Sequence, residues 1–429
     1  MTTVRVITLG CSKNTVDTEH LLAQLPEERF RVLPEDGADA CDVLLLNTCG
    51  FIGDAKEESV NAILDAVERK KAGEVGRLAV FGCLSQRYAA ELPAEIPEVD
   101  AWFGARDLGP VLLWLGVTPG PYTSRYSPVH RGYAYLKISE GCDRRCSYCA
   151  IPFIRGAHRS VPMEDVVAEA ASLAASGVKE LILIAQDTTY YGLDLYHRRA
   201  LAELIDRLSE LDGIEWIRIH YSYPADFPED VLDRMANNPK VCKYMDIPLQ
   251  HIADPVLDRM HRHVDGAWTR ALIARMREKV PGVVLRTTMI VGHPGEGEAE
   301  YGELLDFVRD ARFERLGAFT YSEEEGTYGA EHFADDVPED VKRSRLDGLM
   351  ELQSGISLEY NRSRVGSVER VMVDGMVNGT LVCRSQFESP EVDGEILVRG
   401  WEGEAPVGDF LNVRIVDADE YDLVAEVYE

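Results

Sequence analysis

Apolar residues in the first hundred positions fall in short runs, each ending in a cysteine and giving way to a helical pattern. Val4 to Leu9 is rich in β-branched residues and ends in Gly10-Cys11, with Ser12-Lys13-Asn14 opening a helix to about Leu25. Asp42 to Leu46 leads into Asn47-Thr48-Cys49 and an amphipathic helix from about Ala55 to Arg69. Leu78 to Phe81 leads into Gly82-Cys83 and a helix from about Gln86 to Leu92. Strands joined through helices pair in parallel, so residues 1–115 predict an open parallel α/β sheet domain.

Breakers then crowd the chain, Gly116, Pro119, Gly120, Pro121, Ser124, Ser127, Pro128 and Gly132 among them, and mark a linker over 116–132. From Tyr133 strand and helix alternate six times. The strands are Tyr133–Ile138, Glu180–Ala185, Trp216–Tyr221, Tyr244–Leu249, Val283–Val291 and Leu316–Tyr321. Helices fall near Met163–Ala175, Arg199–Leu211, Glu229–Asn237, Pro255–His261, Trp268–Lys279 and Ala299–Ala311. This alternation predicts a central partial (β/α)6 barrel over 133–338. A charged helix over 339–362 leads away from it, and short β-branched strands in 363–429 predict a small antiparallel β-barrel.

The 429 residues exceed one core and fit about three domains at ~150 residues each. With 45 basic residues against 74 acidic ones the formal charge is -29, which disfavours bulk nucleic-acid binding and favours basic partners. No apolar run nears the ~20 residues that cross a bilayer, and no charged leader precedes an apolar stretch at the N-terminus, so a cytoplasmic protein is expected. Nine cysteines in such a chain point to metal binding or catalysis rather than disulfides. Cys41, Cys242 and Cys383 have no partner spacing and read as structural thiols.

The densest chemistry is GCDRRCSYCAIPFIRG, Gly141 to Gly156, directly after the first barrel strand. Cys142, Cys146 and Cys149 stand at C-x3-C-x2-C spacing, and the next cysteine is Cys242. Structural zinc takes four protein ligands and electron-transfer clusters normally take four cysteines, so three leave one metal position open. Zinc completed by His158, or thiols without metal, is the competing reading. Cys11, Cys49 and Cys83, 38 and 34 residues apart, follow three parallel strands whose carboxyl ends share one edge, where open α/β sheets bind ligands. They predict a second three-thiolate site, against the alternative of three buried cysteines at strand ends. Gln186, Asp187, Thr287, Thr288 and Gly292 reach the barrel mouth by the same logic, unless they serve as strand-end caps. His261 and His263, two apart on a helix, would point in different directions and read as solvated.

The C-x3-C-x-aromatic-C pattern, with Tyr148 before Cys149, resembles the signature of the radical S-adenosylmethionine superfamily. The resemblance implies a 4Fe-4S cluster on Cys142, Cys146 and Cys149 whose open iron chelates S-adenosylmethionine, with Tyr148, Gln186, Asp187, Thr287, Thr288 and Gly292 as cofactor contacts. Cysteines at strand ends, this barrel, and a small β-barrel together resemble the methylthiotransferases over nearly the whole chain, the last module resembling a TRAM domain. One branch of that family acts on tRNA adenosine, the other on an aspartate of ribosomal protein S12. LGCSKNTVDTE, YLKISEGCDRRCSYCAIPFIRG, QDTTYYGLDLY and YSEEEGTYG resemble the second branch. TTMIVGHPGEG departs from it, since relatives more often carry an aromatic residue at the His293 position and threonine at the Gly297 position. Residues 363–429 hold five basic against fifteen acidic side chains, a charge that would repel RNA and attract a basic ribosomal protein.

Sulfur must be placed on an unactivated carbon, beyond the reach of acid-base chemistry, so cofactors carry the reaction. The resemblance implies that a 5'-deoxyadenosyl radical from the barrel cluster abstracts hydrogen from the aspartate β-carbon. Sulfur on a second 4Fe-4S cluster, held by Cys11, Cys49 and Cys83, then couples to that carbon, and a second S-adenosylmethionine supplies the methyl group. Both open irons would face one cavity between the first domain and the barrel mouth. A flavodoxin or ferredoxin system would supply electrons. Glu323 to Glu325 would help receive a basic substrate, with a solvated charged loop as the alternative. The competing functions are a tRNA methylthiotransferase and, from another class, a non-catalytic iron-sulfur scaffold or electron carrier.

Overall fold

The computed structural model describes residues 1–127 and 131–428; Pro128 of the linker and Glu429 lie outside the described residues. The first sheet comprises β1 (Thr2–Thr8), β2 (Phe30–Val32), β3 (Cys41–Thr48), β4 (Val75–Gly82) and β5 (Ala101–Trp102), all parallel, in the order β2-β1-β3-β4-β5. Helices cover both faces of its centre. Val43, Leu45 and Phe81 pack toward Leu21 and Leu112, while Leu44, Leu46 and Val80 pack toward Ile63 and Val67. Two-sided burial explains why β3 reads as a continuous apolar run rather than an alternating one. Each such leucine contributes about 1.5–3 kcal/mol.

The predicted helix over Gln86–Leu92 is instead two short pieces, Cys83–Arg87 and Leu92–Glu95. Pro93 lacks a backbone N–H and suits the first turn of a new helix rather than the end of an old one.

The central sheet comprises β6 (Tyr133–Lys137), β9 (Glu180–Ile184), β10 (Trp216–Ile219), β11 (Val241–Asp246), β12 (Val284–Val291) and β13 (Arg315–Thr320). They run parallel in the order β13-β12-β11-β10-β9-β6, an open six-stranded barrel. A two-stranded ladder, β7 (Ser139–Glu140) with β8 (Arg159–Ser160), sits at its mouth. β11 begins three residues before the predicted Tyr244 and ends at Asp246, because Val241 and Cys242 are buried and Pro248 cannot donate to a ladder. The helix Glu339–Ser363 does not lead away from the barrel. Leu349 and Ile356 enter the barrel core, and Gln353 donates to the Phe313 carbonyl, so a largely polar sequence conceals one apolar stripe.

Strands β14 (Val368–Val377), β15 (Thr380–Arg384), β16 (Ile396–Arg399), β17 (Phe410–Ala418) and β18 (Leu423–Val427) form a closed barrel. Four pairs are antiparallel as expected; β16 and β18 pair in parallel and close the cylinder. The segment after β15 plugs the inner face of the central barrel. Arg218 donates to the carbonyls of Ser385 and Gln386, Tyr244 donates to Asp393, and Tyr133 and Tyr135 donate to Glu391. Glu180, fully buried, accepts from Arg218 at 2.8 Å and pairs with Arg384.

Candidate active site

The β7–β8 ladder pins the base of the cysteine loop by pairing Ser139 with Ser160 and Glu140 with Arg159. Gly141 has φ +80°, and a Cβ there would stand 2.1 Å from the Ala157 carbonyl oxygen, so the chain enters the loop only with glycine. Cys142 N–H donates to Gly156 O at 3.1 Å and Cys149 N–H to Cys146 O at 3.0 Å. Arg144 Nε reaches Asp187 Oδ2 at 2.7 Å, fastening the loop to the end of β9. The Cys146 sulfur lies 3.4 Å from Arg262 Nη1 and 3.7 Å from the Tyr223 hydroxyl. Arg262, almost wholly buried, also donates to the Tyr148 hydroxyl at 3.2 Å. Burial, then the neighbouring Cys146 and Cys142, push the Cys149 thiol well up; burial, with Asp187 and Cys146, pushes Cys142 up to about 12. The three sulfurs are thus close enough to feel one another.

The other trio leaves three adjacent strands at one edge. The ends of β1, β3 and β4 fall within one residue of one another, Thr8 beside Asn47 and Thr48 beside Gly82. Cys11 caps the helix α1 (Ser12–Ala23), Cys49 follows β3, and Cys83 opens the helix Cys83–Arg87. Gly10, φ +94°, lies flat on Cys49; a Cβ there would be 2.7 Å from the Cys49 Cβ. Asn14 clamps the edge by donating to Leu9 O at 2.7 Å and Thr48 O at 3.3 Å. Burial pushes the Cys83 thiol up to about 11 against the pull of Arg155, with Cys11 and Cys49 adding to the rise.

Arg155 links the trios. It stands six residues after Cys149, yet its Nε donates to Cys83 Sγ at 3.2 Å and its Nη2 to Asn14 Oδ1 at 2.5 Å. Its Nη1 pairs with Asp17 at 2.7 Å and Glu140 at 3.1 Å, and Lys137 pairs with the same two carboxylates. Burial would raise both acids, but Lys137 and Arg155 outweigh it and hold them down. Sequence reasoning missed this quartet. Its one signal is charge inside apolar surroundings, Lys137 closing the run YAYL and Arg155 following IPFI.

The predicted mouth residues divide. Gln186 donates to Glu140 Oε1 at 2.6 Å, and its own Oε1 is buried without a partner. Asp187 is committed, accepting from Thr189 N–H and hydroxyl as well as Arg144. Thr287 and Thr288 point to opposite faces, as alternation along a strand requires. Thr287 is fully buried, its hydroxyl donating to Ile247 O at 2.9 Å, whereas Thr288 is half-buried. The Gly292 amide donates to Glu296 at 2.9 Å. His158, the zinc ligand of the competing reading, lies 3.0 Å from the Ser160 hydroxyl and 3.8 Å from Asp194. His261 and His263 fall in the turn after the helix Asp254–Arg259, not on it; His261 packs on Tyr328 and His263 is exposed.

The acidic run is not wholly free for a substrate. Glu324 is buried and pairs with Lys56 at 2.8 Å and Arg87 at 2.7 Å, clamping the barrel to the first domain, while Glu323 and Glu325 are exposed. In the C-terminal module Arg364 and Arg384 are buried, so among its described residues three arginines and nine carboxylates are exposed. Cys41, Cys242 and Cys383 are buried.

The Radical SAM superfamily pattern matches residues 136–308, Uncharacterized protein family UPF0004 matches 3–104, and the TRAM domain matches 365–427. The chain is 52% identical over 430 residues to the ribosomal protein uS12 methylthiotransferase RimO of Porphyromonas gingivalis, covering 99% of each. It is 49% identical over 427 residues to the RimO of Bacteroides fragilis, again covering 99% of each. The chain belongs to the uS12 methylthiotransferase family. Membership makes it a radical S-adenosylmethionine methylthiotransferase, and the cofactors of that family are S-adenosylmethionine and 4Fe-4S clusters. Among solved structures, the radical S-adenosylmethionine methyltransferase TsrM from Kitasatospora setae superposes with TM-score 0.58 at 14% identity, covering 77% of this chain and 74% of its own; this likeness concerns fold alone. Among the described residues no helix is long and apolar enough to cross a membrane.

Proposed function

We propose that this uS12 methylthiotransferase adds a methylthio group to the β-carbon of an aspartate of ribosomal protein uS12. Cys142, Cys146 and Cys149 would hold one 4Fe-4S cluster and Cys11, Cys49 and Cys83 the other. The donor sets fit: each trio offers three thiols and no disulfide, one on a single short loop and the other at one sheet edge, and each has a guanidinium N–H aimed at a sulfur, Arg262 at Cys146 and Arg155 at Cys83. Such donors favour the thiolate a metal requires. Bound there, the clusters and S-adenosylmethionine supply hydrogen abstraction, sulfur and methyl.

The residues of the chain orient and enclose. Arg144 and Asp187 fix the cysteine loop, Asn14 fixes the strand edge, and the quartet of Asp17, Lys137, Glu140 and Arg155 locks one domain on the other. Gln186, with its unsatisfied Oε1, Thr288 and Tyr148 are the mouth side chains left for S-adenosylmethionine. The contact of Arg155 with Cys83 carries the reading, because it joins the loop of one trio to a ligand of the other. A flavodoxin or ferredoxin system would supply electrons, and the substrate places the enzyme in the cytoplasm.

Charge favours this substrate over tRNA, since a C-terminal surface with three arginines against nine carboxylates repels phosphate. Anaerobic reconstitution should give about eight irons in the wild type and about four in a Cys11, Cys49, Cys83 triple alanine variant. The wild type should then add a methylthio group to uS12 and not to tRNA. Four irons in the wild type, or incorporation into tRNA alone, overturns the reading.

A further inference from the structure

Lys13 is a buried cation with no carboxylate partner among the described residues. Its residue is 7% exposed, and its Nζ lies 2.9 Å from the centroid of the Tyr221 ring. Among the described residues the carboxylates around it are engaged elsewhere: Asp17 and Glu140 with Lys137 and Arg155, Glu19 with Arg125, Asp42 with Thr3, Asp246 with Arg286, Asp187 with Arg144. A ring face offsets part of the cost of burying an ammonium, but a buried charge ordinarily takes a counter-ion. The described residues supply none.

The place of this charge suggests what it awaits. Lys13 is two residues from Cys11, in the first turn of α1. Tyr221, beneath it, follows β10 at the barrel mouth and stands two residues before Tyr223, whose hydroxyl touches Cys146 Sγ. The ammonium therefore lies where the two trios approach each other. Tyr221 is itself held at φ +58°, a conformation that side chains seldom adopt.

Resting on the function proposed above, we infer that Lys13 binds the side-chain carboxylate of the aspartate being modified and sets its β-carbon between the trios. A free carboxylate is also present on S-adenosylmethionine. Attachment of Lys13 to the first domain, beside Cys11 rather than on the cysteine loop of the barrel, favours the substrate.

The test uses reconstituted full-length enzyme, wild type and the variants Lys13→Gln, Lys13→Met and Lys13→Arg, with uS12 and with uS12 carrying asparagine at the modified position. Methylthio incorporation is read by mass. The wild type should prefer the aspartate form at least tenfold in kcat/KM, Lys13→Gln should lose at least tenfold on it and under threefold on the asparagine form, and Lys13→Arg should keep most of the preference. Lys13→Met should melt no lower than wild type, because it removes an unbalanced buried charge. Retained preference in Lys13→Gln, a rise in KM for S-adenosylmethionine in place of the substrate effect, or a lowered Tm in Lys13→Met overturns the inference. A wild type inactive on both uS12 forms overturns the proposed function instead.

Discussion

Arg155 Nε lies 3.2 Å from Cys83 Sγ, so a side chain from the loop of the barrel trio grips the last cysteine of the other. Replacing it with methionine leaves Asp17 and Glu140 with Lys137 as their shared cation. Losing one partner of a buried ionic network costs about 3–5 kcal/mol. Arg155→Met should therefore lower stability by that order in urea denaturation and lose iron first from the N-terminal trio. Arg155→Lys should recover only part, because an ammonium cannot fork between sulfur, amide and two carboxylates.

Asp187 acts through the loop it holds. In Asp187→Asn the bond from Arg144 loses its charge, a change of about 1–2 kcal/mol. Cys142 should then bind its metal more weakly, and 5'-deoxyadenosine formation should fall about tenfold. Iron retention under a chelator separates loosened metal from a damaged S-adenosylmethionine site, which would lower turnover at unchanged iron.

Glu388 makes docking of the C-terminal module sensitive to acid. Burial would raise its carboxyl, but Arg364 and Arg315 outweigh it and hold it at about 2, below the ordinary 4.5. The folded form thus prefers the charged acid, and the stabilisation is complete above about pH 4.5 and lost as pH falls through about 2. Glu388→Gln should destabilise the protein by about 3 kcal/mol at pH 7. The gap from wild type, followed by urea denaturation, should narrow from pH 5 downward.

The acidic C-terminal surface predicts steering. For full-length uS12, kcat/KM should fall severalfold between 50 and 300 mM salt, as the Debye length shrinks below about 10 Å. A short neutral peptide spanning the modified aspartate should show little change. Equal salt sensitivity for both would assign the effect to the site instead of the surface.

Much of this was legible because burial leaves a period. The run VLLL in β3 announced a strand covered on both faces, and each cysteine stood where such a run stopped. Lys137 and Arg155 were not legible as partners, since their carboxylates lie 120 and 138 residues away in the case of Asp17 and a charge within a short segment looks the same whether it meets solvent or another domain. Glu324 misled for that reason: within SEEEG it resembles a solvated loop, and only the docked first domain supplies Lys56 and Arg87. Thr287 and Thr288 could have been separated beforehand, because neighbours on a strand face opposite ways.

The closely matched ends of β1, β3 and β4 give the first domain a particular evolutionary freedom. Lengthening or trimming the connections that precede β3 or β4 would leave the sulfurs where they are, since the ladder, with Gly10 and Asn14 at its edge, sets their spacing. A one-residue slip within a strand would instead swing its cysteine onto the wrong side and abolish the trio.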